Sequence, residues 1–113
     1  MIQMTAETRI LLSTKAADFR KGIDGLVAVC QQELTKDPRS GALYVFINRS
    51  KTMIRILSFD GTGYWLCHKR LSKSKFQGWP SGNAPINTLE AKQLQLLIRG
   101  KHPLAHADWK KCA

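Results

Sequence analysis

The spacing of apolar positions changes along the chain, and each change marks an element. Arg9 to Ser13 (Arg-Ile-Leu-Leu-Ser) is an apolar run of strand length. Ile23, Leu26, Val27, Cys30 and Leu34 then recur at helical spacing and define one apolar face. Gln31, Gln32, Glu33 and Lys36 fall mostly on the other side. Asp37-Pro38 ends that helix, because a residue before proline avoids the helical region. Pro38-Arg39-Ser40-Gly41 reads as a turn, with Gly41 free to take positive φ. From Leu43 the period falls to two. Leu43, Val45 and Ile47 alternate with Tyr44, Phe46 and Asn48. Met53 to Phe59 is a second strand, with Ile54 and Ile56 on one face, and Gly63 to Lys69 a third. Asn48 to Thr52 and Asp60-Gly61-Thr62-Gly63 have hairpin length and turn chemistry, which predicts an antiparallel meander. Asn87 or Thr88 is expected to cap a last helix with Glu90 in its first turn. Ala91, Leu94, Leu97 and Ile98 would form its inner face, and Gly100 would stop it. The expected fold class is α+β: a small antiparallel β-meander with helices packed on one face.

A chain of 113 residues is expected to be one domain, spanning 1–113, with enough bulk for one modest core. An apolar share of 43% is too high for a disordered basic tail. No repeat, low-complexity tract or long linker divides the chain. The segment Lys101 to Ala113 is basic and carries no clear pattern. No apolar run approaches the roughly 20 residues of a membrane span, and the first residues lack a signal-peptide pattern. Cys30, Cys67 and Cys112 are odd in number and include no CxxC, so a disulfide framework or zinc knuckle is not indicated. A cytoplasmic setting, where thiols stay reduced, fits best.

Charge changes the picture. The formal net charge is +10. Arg49 to Lys75 holds Arg49, Lys51, Arg55, Lys69, Arg70, Lys73 and Lys75 against one acid, Asp60, and so contributes six of those ten charges. Such concentration repels itself, which points to a polyanionic partner, and nucleic acid is the commonest. The hairpin Asn48-Arg49-Ser50-Lys51-Thr52 with Arg55 is a cationic ribbon tip that can enter a DNA groove or ride along phosphates; equally, its lysine can protect a sheet edge. In Tyr64 to Phe76, ending at Trp79-Pro80, basic residues interleave with aromatics. Tyr64, Trp65 and Phe76 read as core, and Lys69 to Lys75 as a binding surface. A third cluster, Asp18-Phe19-Arg20-Lys21-Gly22-Ile23-Asp24-Gly25, lies at the entrance of the first helix. Arg20 and Lys21 can clamp a phosphate there, or Asp18 or Asp24 can simply cap the helix beside two solvated cations.

Catalysis has little support in the sequence. Metal-dependent strand transfer needs about three carboxylates converging on two metal ions, and no motif gathers the acids. Asp60 reads as the start of an Asp-Gly turn. His68, His102 and His106 lack ligand spacing, with Pro103 interrupting the last two. There is no P-loop and no GxGxxG. Cys30, on an apolar helix face, reads as core filling. No enzyme activity, cofactor or metal is expected.

These motifs, in order, resemble a known family. Asp18-x-Arg20-Lys21-Gly22-x-Asp24-Gly25-Leu26 is followed by Asp37-Pro38-x-Ser40-Gly41-x-Leu43-x-Val45-Phe46. Then come Asn48-Arg49, Ile54-x-x-Leu57, Asp60-Gly61-x-Gly63, Lys69-Arg70-Leu71, Phe76 and Trp79-Pro80. The chain resembles, over about Arg9 to Gly100, the accessory proteins called TnpB, from the second open reading frame of insertion-sequence-66 elements. One departure is that two residues, Gln77-Gly78, separate Phe76 from Trp79-Pro80 where the family pattern has one. The resemblance implies a bacterial protein required, with a separate transposase, for efficient transposition. Two functions follow as expectations: a DNA-binding accessory factor that holds transposon ends or target DNA, or a protein-interaction module that binds the transposase. The sequence leaves self-association as a homo-oligomer open.

Overall fold

The computed structural model describes residues 5–104. The readings that fell on residues 105–113, including His106, lie outside the described residues. Among the described residues, five strands form one sheet: β1 (Ile10–Ser13), β2 (Leu43–Ile47), β3 (Met53–Phe59), β4 (Tyr64–Arg70) and β5 (Ile86–Leu89). Two helices accompany it, α1 (Gly22–Gln32) and α2 (Ala91–Ile98), with a 3-10 turn at Phe19–Lys21 leading into α1. Strand order is β4-β3-β2-β1-β5.

The fold is α+β, and β2, β3 and β4 form the expected meander. Tyr44 pairs with Leu57 and Ile47 with Ile54 across one hairpin, and Met53 with Arg70 and Phe59 with Tyr64 across the next. Asn48 builds the first hairpin: its Oδ1 accepts from the backbone N–H groups of Thr52 and Met53 at 3.0 and 3.1 Å. Asp60 builds the second, as the Asp-Gly turn required. Its Oδ1 accepts from the Thr62 and Gly63 N–H groups at 2.9 and 3.0 Å.

Two expectations are corrected. The helices do not share one face. Strand residues point alternately to opposite faces, and both faces of this sheet are apolar in its central strands. Leu11, Tyr44, Phe46 and Leu57 meet Leu26, Cys30 and Leu34 on the α1 side. Ile10, Leu12, Leu43, Val45, Ile47 and Ile54 meet Leu94 and Leu97 on the α2 side, joined by Phe76 and Trp79. All five residues of β2 are buried, as a strand covered on both faces must be. The second correction concerns Asn87 and Thr88, which are not helix caps. They lie in β5, which pairs antiparallel with β1, Thr88 opposite Leu11 and Asn87 opposite Leu12. That pairing satisfies the outer edge of β1, whose inner edge runs parallel to β2. Glu90 is the true cap of α2, in a reciprocal capping box with Gln93.

Because β1 and β2 are parallel, their carboxyl ends share one end of the sheet. The start of β3, the end of β4 and the start of β5 lie there too, since Ile47 pairs with Ile54, Met53 with Arg70 and Ser13 with Ile86. The Ala17 N–H donates to the Ile47 carbonyl at 2.8 Å, so the 3-10 turn and the first turn of α1 join the same end. α2 starts beyond Leu89, at the opposite end, and runs back toward it.

Candidate nucleic-acid interface

Charge is sorted between the two ends of the sheet. The end just defined carries Lys15, Arg20, Lys21, Arg49, Lys51, Lys69, Arg70, Lys73, Lys75, Arg99 and Lys101, all exposed, against Asp18, Asp24 and Glu33, the last beside Lys15 and Arg49. The opposite end carries Glu7, Asp37, Asp60 and Glu90, balanced by Arg9, Lys36, Arg39 and Lys92. The net charge of the described residues therefore sits almost wholly at one end. Like charges that outnumber the acids beside them raise the local potential and draw in polyanions.

Three links, two of them backbone hydrogen bonds, hold the basic segments together. The Phe76 N–H donates to the Lys51 carbonyl at 2.8 Å, and the Leu71 N–H to the Thr52 carbonyl at 3.0 Å. The loop carrying Lys73 and Lys75 is thereby fastened to the hairpin tip carrying Arg49 and Lys51. Buried Phe76 and Trp79 anchor that loop, and the Trp79 indole N–H donates to the Ser13 carbonyl at 2.9 Å. The third link is Arg55. Its guanidinium lies 4.7 Å from the centre of the Phe19 ring and donates through Nη1 to the Phe19 carbonyl at 3.0 Å. Arg55 is half-buried, with its Nε buried and unpartnered. It thus ties the meander to the 3-10 turn, whereas the other basic residues face solvent.

An open groove of about 950 Å³ results between that turn and the hairpin tip, lined by Asp18, Phe19, Arg20, Lys21, Glu33, Asn48 and Arg49 among others. Two clusters that are separate in sequence, Arg20-Lys21 and Asn48-Arg49, thus share one wall. Asp18 caps the 3-10 turn, accepting from the Arg20 N–H at 2.9 Å. It also pairs side by side with the Arg20 guanidinium, at 3.0 and 2.9 Å. The Arg20 hydrogen bonds hold the Asp18 carboxyl at about 2. Arg20 still projects outward, its side chain 90% exposed, so its remaining donors face the groove and water. Gly25 makes room for Lys21: a Cβ there would come within 2.5 Å of the Lys21 Cβ. Gly78, at φ +68°, has no space for a side chain because His102 and Pro103 press against it, and this contact brings the end of α2 alongside the loop.

The candidate acids are committed to local turns. Asp60 accepts four hydrogen bonds, from the Thr62 and Gly63 backbone, the Thr62 hydroxyl and the Trp65 indole at 2.8 Å, which hold its pKa far below the usual carboxylate range. Asp37 accepts from the Arg39 N–H at 2.9 Å. Among the described residues no three His, Cys, Asp or Glu side chains gather as a metal site. Cys30 is fully buried and its thiol is pushed up to about 12 by desolvation. Trp65, expected in the core, is 47% exposed on β4, while Phe76 is buried and Tyr64 half-buried. Sequence reasoning missed Lys15, Arg99 and Lys101 as members of the basic end. No local signal marks them, because the parallel β1–β2 pairing and the direction of α2 bring them there.

This is a small α+β domain with a unipolar cationic surface. The chain belongs to the family described as IS66 Orf2 like protein, which it matches over residues 8–107. That family is one of transposition-associated accessory proteins of insertion sequences. Two curated relatives come from Sinorhizobium fredii (strain NBRC 101917 / NGR234). The uncharacterized protein y4hO is 31% identical over 106 residues, covering 91% of each chain. The uncharacterized protein y4jC is 32% identical over 111 residues, covering 98% of this chain and 89% of the relative. No solved structure matches. No helix among the described residues is long and apolar enough to cross a membrane.

Proposed function

We propose that this accessory protein binds duplex DNA, at transposon ends or target, through the basic end of its sheet, and so assists the element's separate transposase. The observation that carries the reading is the segregation of eleven exposed cations against three acids at one end. With extents of 39 × 30 × 28 Å, the molecule presents a face spanning roughly eight to eleven base pairs at 3.4 Å per step. Arg20, Lys21, Arg49, Lys51, Arg70, Lys73 and Lys75 make phosphate contacts, with Lys69 at the margin. Phosphate contacts set position and orientation rather than read sequence. Arg55 acts through Phe19, fixing the turn that presents Arg20 and Lys21. On this reading the protein contributes no bond-breaking chemistry, with Asp18, Asp37, Asp60 and Glu90 serving turns and caps.

The test is an electrophoretic shift of terminal-repeat duplex by the purified protein, with and without the transposase. Salt-dependent binding by the protein alone supports the reading. A stable complex with the transposase and no DNA affinity would replace it with the protein-interaction reading.

A further inference from the structure

We propose that the free edge of β4 pairs antiparallel with β4 of a second copy about a two-fold axis at Cys67, joining two five-stranded sheets into one. This inference is independent of the DNA reading.

β4 has seven residues and, among the described residues, pairs only with β3. Its ladder fixes which backbone groups are free. The Leu71 N–H donates to Thr52, and hydrogen-bonded and non-hydrogen-bonded pairs alternate along an antiparallel ladder. Trp65, Cys67 and Lys69 therefore turn their N–H and C=O groups toward β3, and Tyr64, Leu66, His68 and Arg70 turn theirs outward. An edge of this length with four outward-facing residues is a template for another strand unless something blunts it. The other outer strand, β5, has four residues and lies between Pro85 and the cap of α2.

The side chains choose the occupant. The cations on β4 sit in its second half, at Lys69 and Arg70, and the aromatics in its first half, at Tyr64 and Trp65. A second copy running antiparallel with all seven residues overlapped pairs residue 66 with 68, the outward-facing set. Tyr64 then stands opposite Arg70 of the other copy, and Trp65 opposite Lys69. Each cation meets an aromatic ring and none meets another cation. A parallel, in-register copy would instead place Lys69 against Lys69 and Arg70 against Arg70. The exposed Trp65 is one of two large apolar side chains exposed among the described residues, and this seam covers it. The acidic Asp60 turn of each copy also runs toward the cationic Ser72–Lys75 segment of the other. The two-fold axis leaves the basic ends pointing in opposite directions, so each remains open.

Cys67 lies on the axis as a non-hydrogen-bonded pair, where opposed Cα atoms stand about 4.5 Å apart, inside the range a disulfide can bridge. It is free and half-buried. The full chain carrying Cys112→Ser is sedimented over a concentration series and then treated with diamide, which takes up two electrons and two protons as two thiols join. The expected result is a reversible species of twice 12.7 kDa that becomes covalent on oxidation, and is not covalent when Cys67→Ser is added. His68→Pro removes an outward N–H that β3 does not use and abolishes the dimer, with its melting checked by circular dichroism. A monomer throughout the series overturns the proposal. So does a dimer that forms no Cys67 cross-link, or one that a folded His68→Pro variant leaves intact.

Discussion

Replacing Arg49, Lys51, Lys73 and Lys75 by glutamine probes the basic end without altering any residue of β4. All four side chains are exposed, and the segments that carry them are fastened by the Phe76 N–H to Lys51 carbonyl bond. Glutamine keeps that backbone link. Each lost phosphate contact lowers the slope of log K against log salt by about 0.9, so four lost contacts lower it by about 3.6. Near 0.15 M salt each contact is worth about 0.7 log units, and the quadruple variant binds duplex roughly 10³-fold more weakly. The control is a charge-matched variant of the opposite end, with Arg9, Lys36, Arg39 and Lys92 replaced by glutamine. Fluorescence anisotropy of a labelled terminal-repeat duplex, at several salt concentrations, measures both, with thermal melts to confirm folding. A control variant that loses as much slope as the test variant would refute a unipolar interface. So would an unchanged slope in the test variant.

Other consequences follow from individual contacts. Asp18 has its folded pKa, about 2, below the ordinary 3.8, so its contribution to stability is complete above about pH 4 and is lost as pH falls toward 2. In Arg20→Ala an NMR titration of the Asp18 carboxyl should move its midpoint up toward 3.8, while the melting temperature falls by only a few degrees, as suits an exposed pair; an unmoved midpoint would show that Arg20 is not its partner. Arg55→Met removes a charged hydrogen bond and a ring contact, and should cost about 1.5–3 kcal/mol in urea unfolding while speeding amide exchange at Phe19–Lys21. Exchange unchanged in that segment would mean that Arg55 does not hold the turn. Cys30 should resist a thiol reagent in the native protein that labels Cys67, since burial holds Cys30 protonated; equal labelling rates would contradict the packing of α1.

Much of the architecture is legible in local pattern. Period-two alternation and the turn residues Asn48 and Asp60 define the meander, and helical spacing from Ile23 to Leu34 defines the inner face of α1. What sequence could not supply is long-range. Ile86-Asn87-Thr88-Leu89 is too short to announce a strand, and its partner β1 lies more than seventy residues away in the chain. The same pairing decides that Glu90 caps α2. The two-sided burial of β2, which sends the helices to opposite faces, was present in the continuous apolar run Leu43 to Ile47, but alternation alone conceals it. The basic residues could each be named, yet their collection at one end depends on β1 running parallel to β2. Arg55 illustrates the limit best: it reads as one more cation, and its placement under Phe19 makes it a brace.

The central claim is tested most directly by titrating the ¹⁵N-labelled protein with terminal-repeat duplex and following each backbone amide. The account predicts shifts confined to Lys15–Lys21, Asn48–Thr52, Arg70–Lys75 and Arg99–His102, four segments separate in sequence and joined at one end of the sheet. Shifts centred instead on Asp37–Ser40 and Asp60–Gly63, or no shifts at a duplex excess, would contradict it.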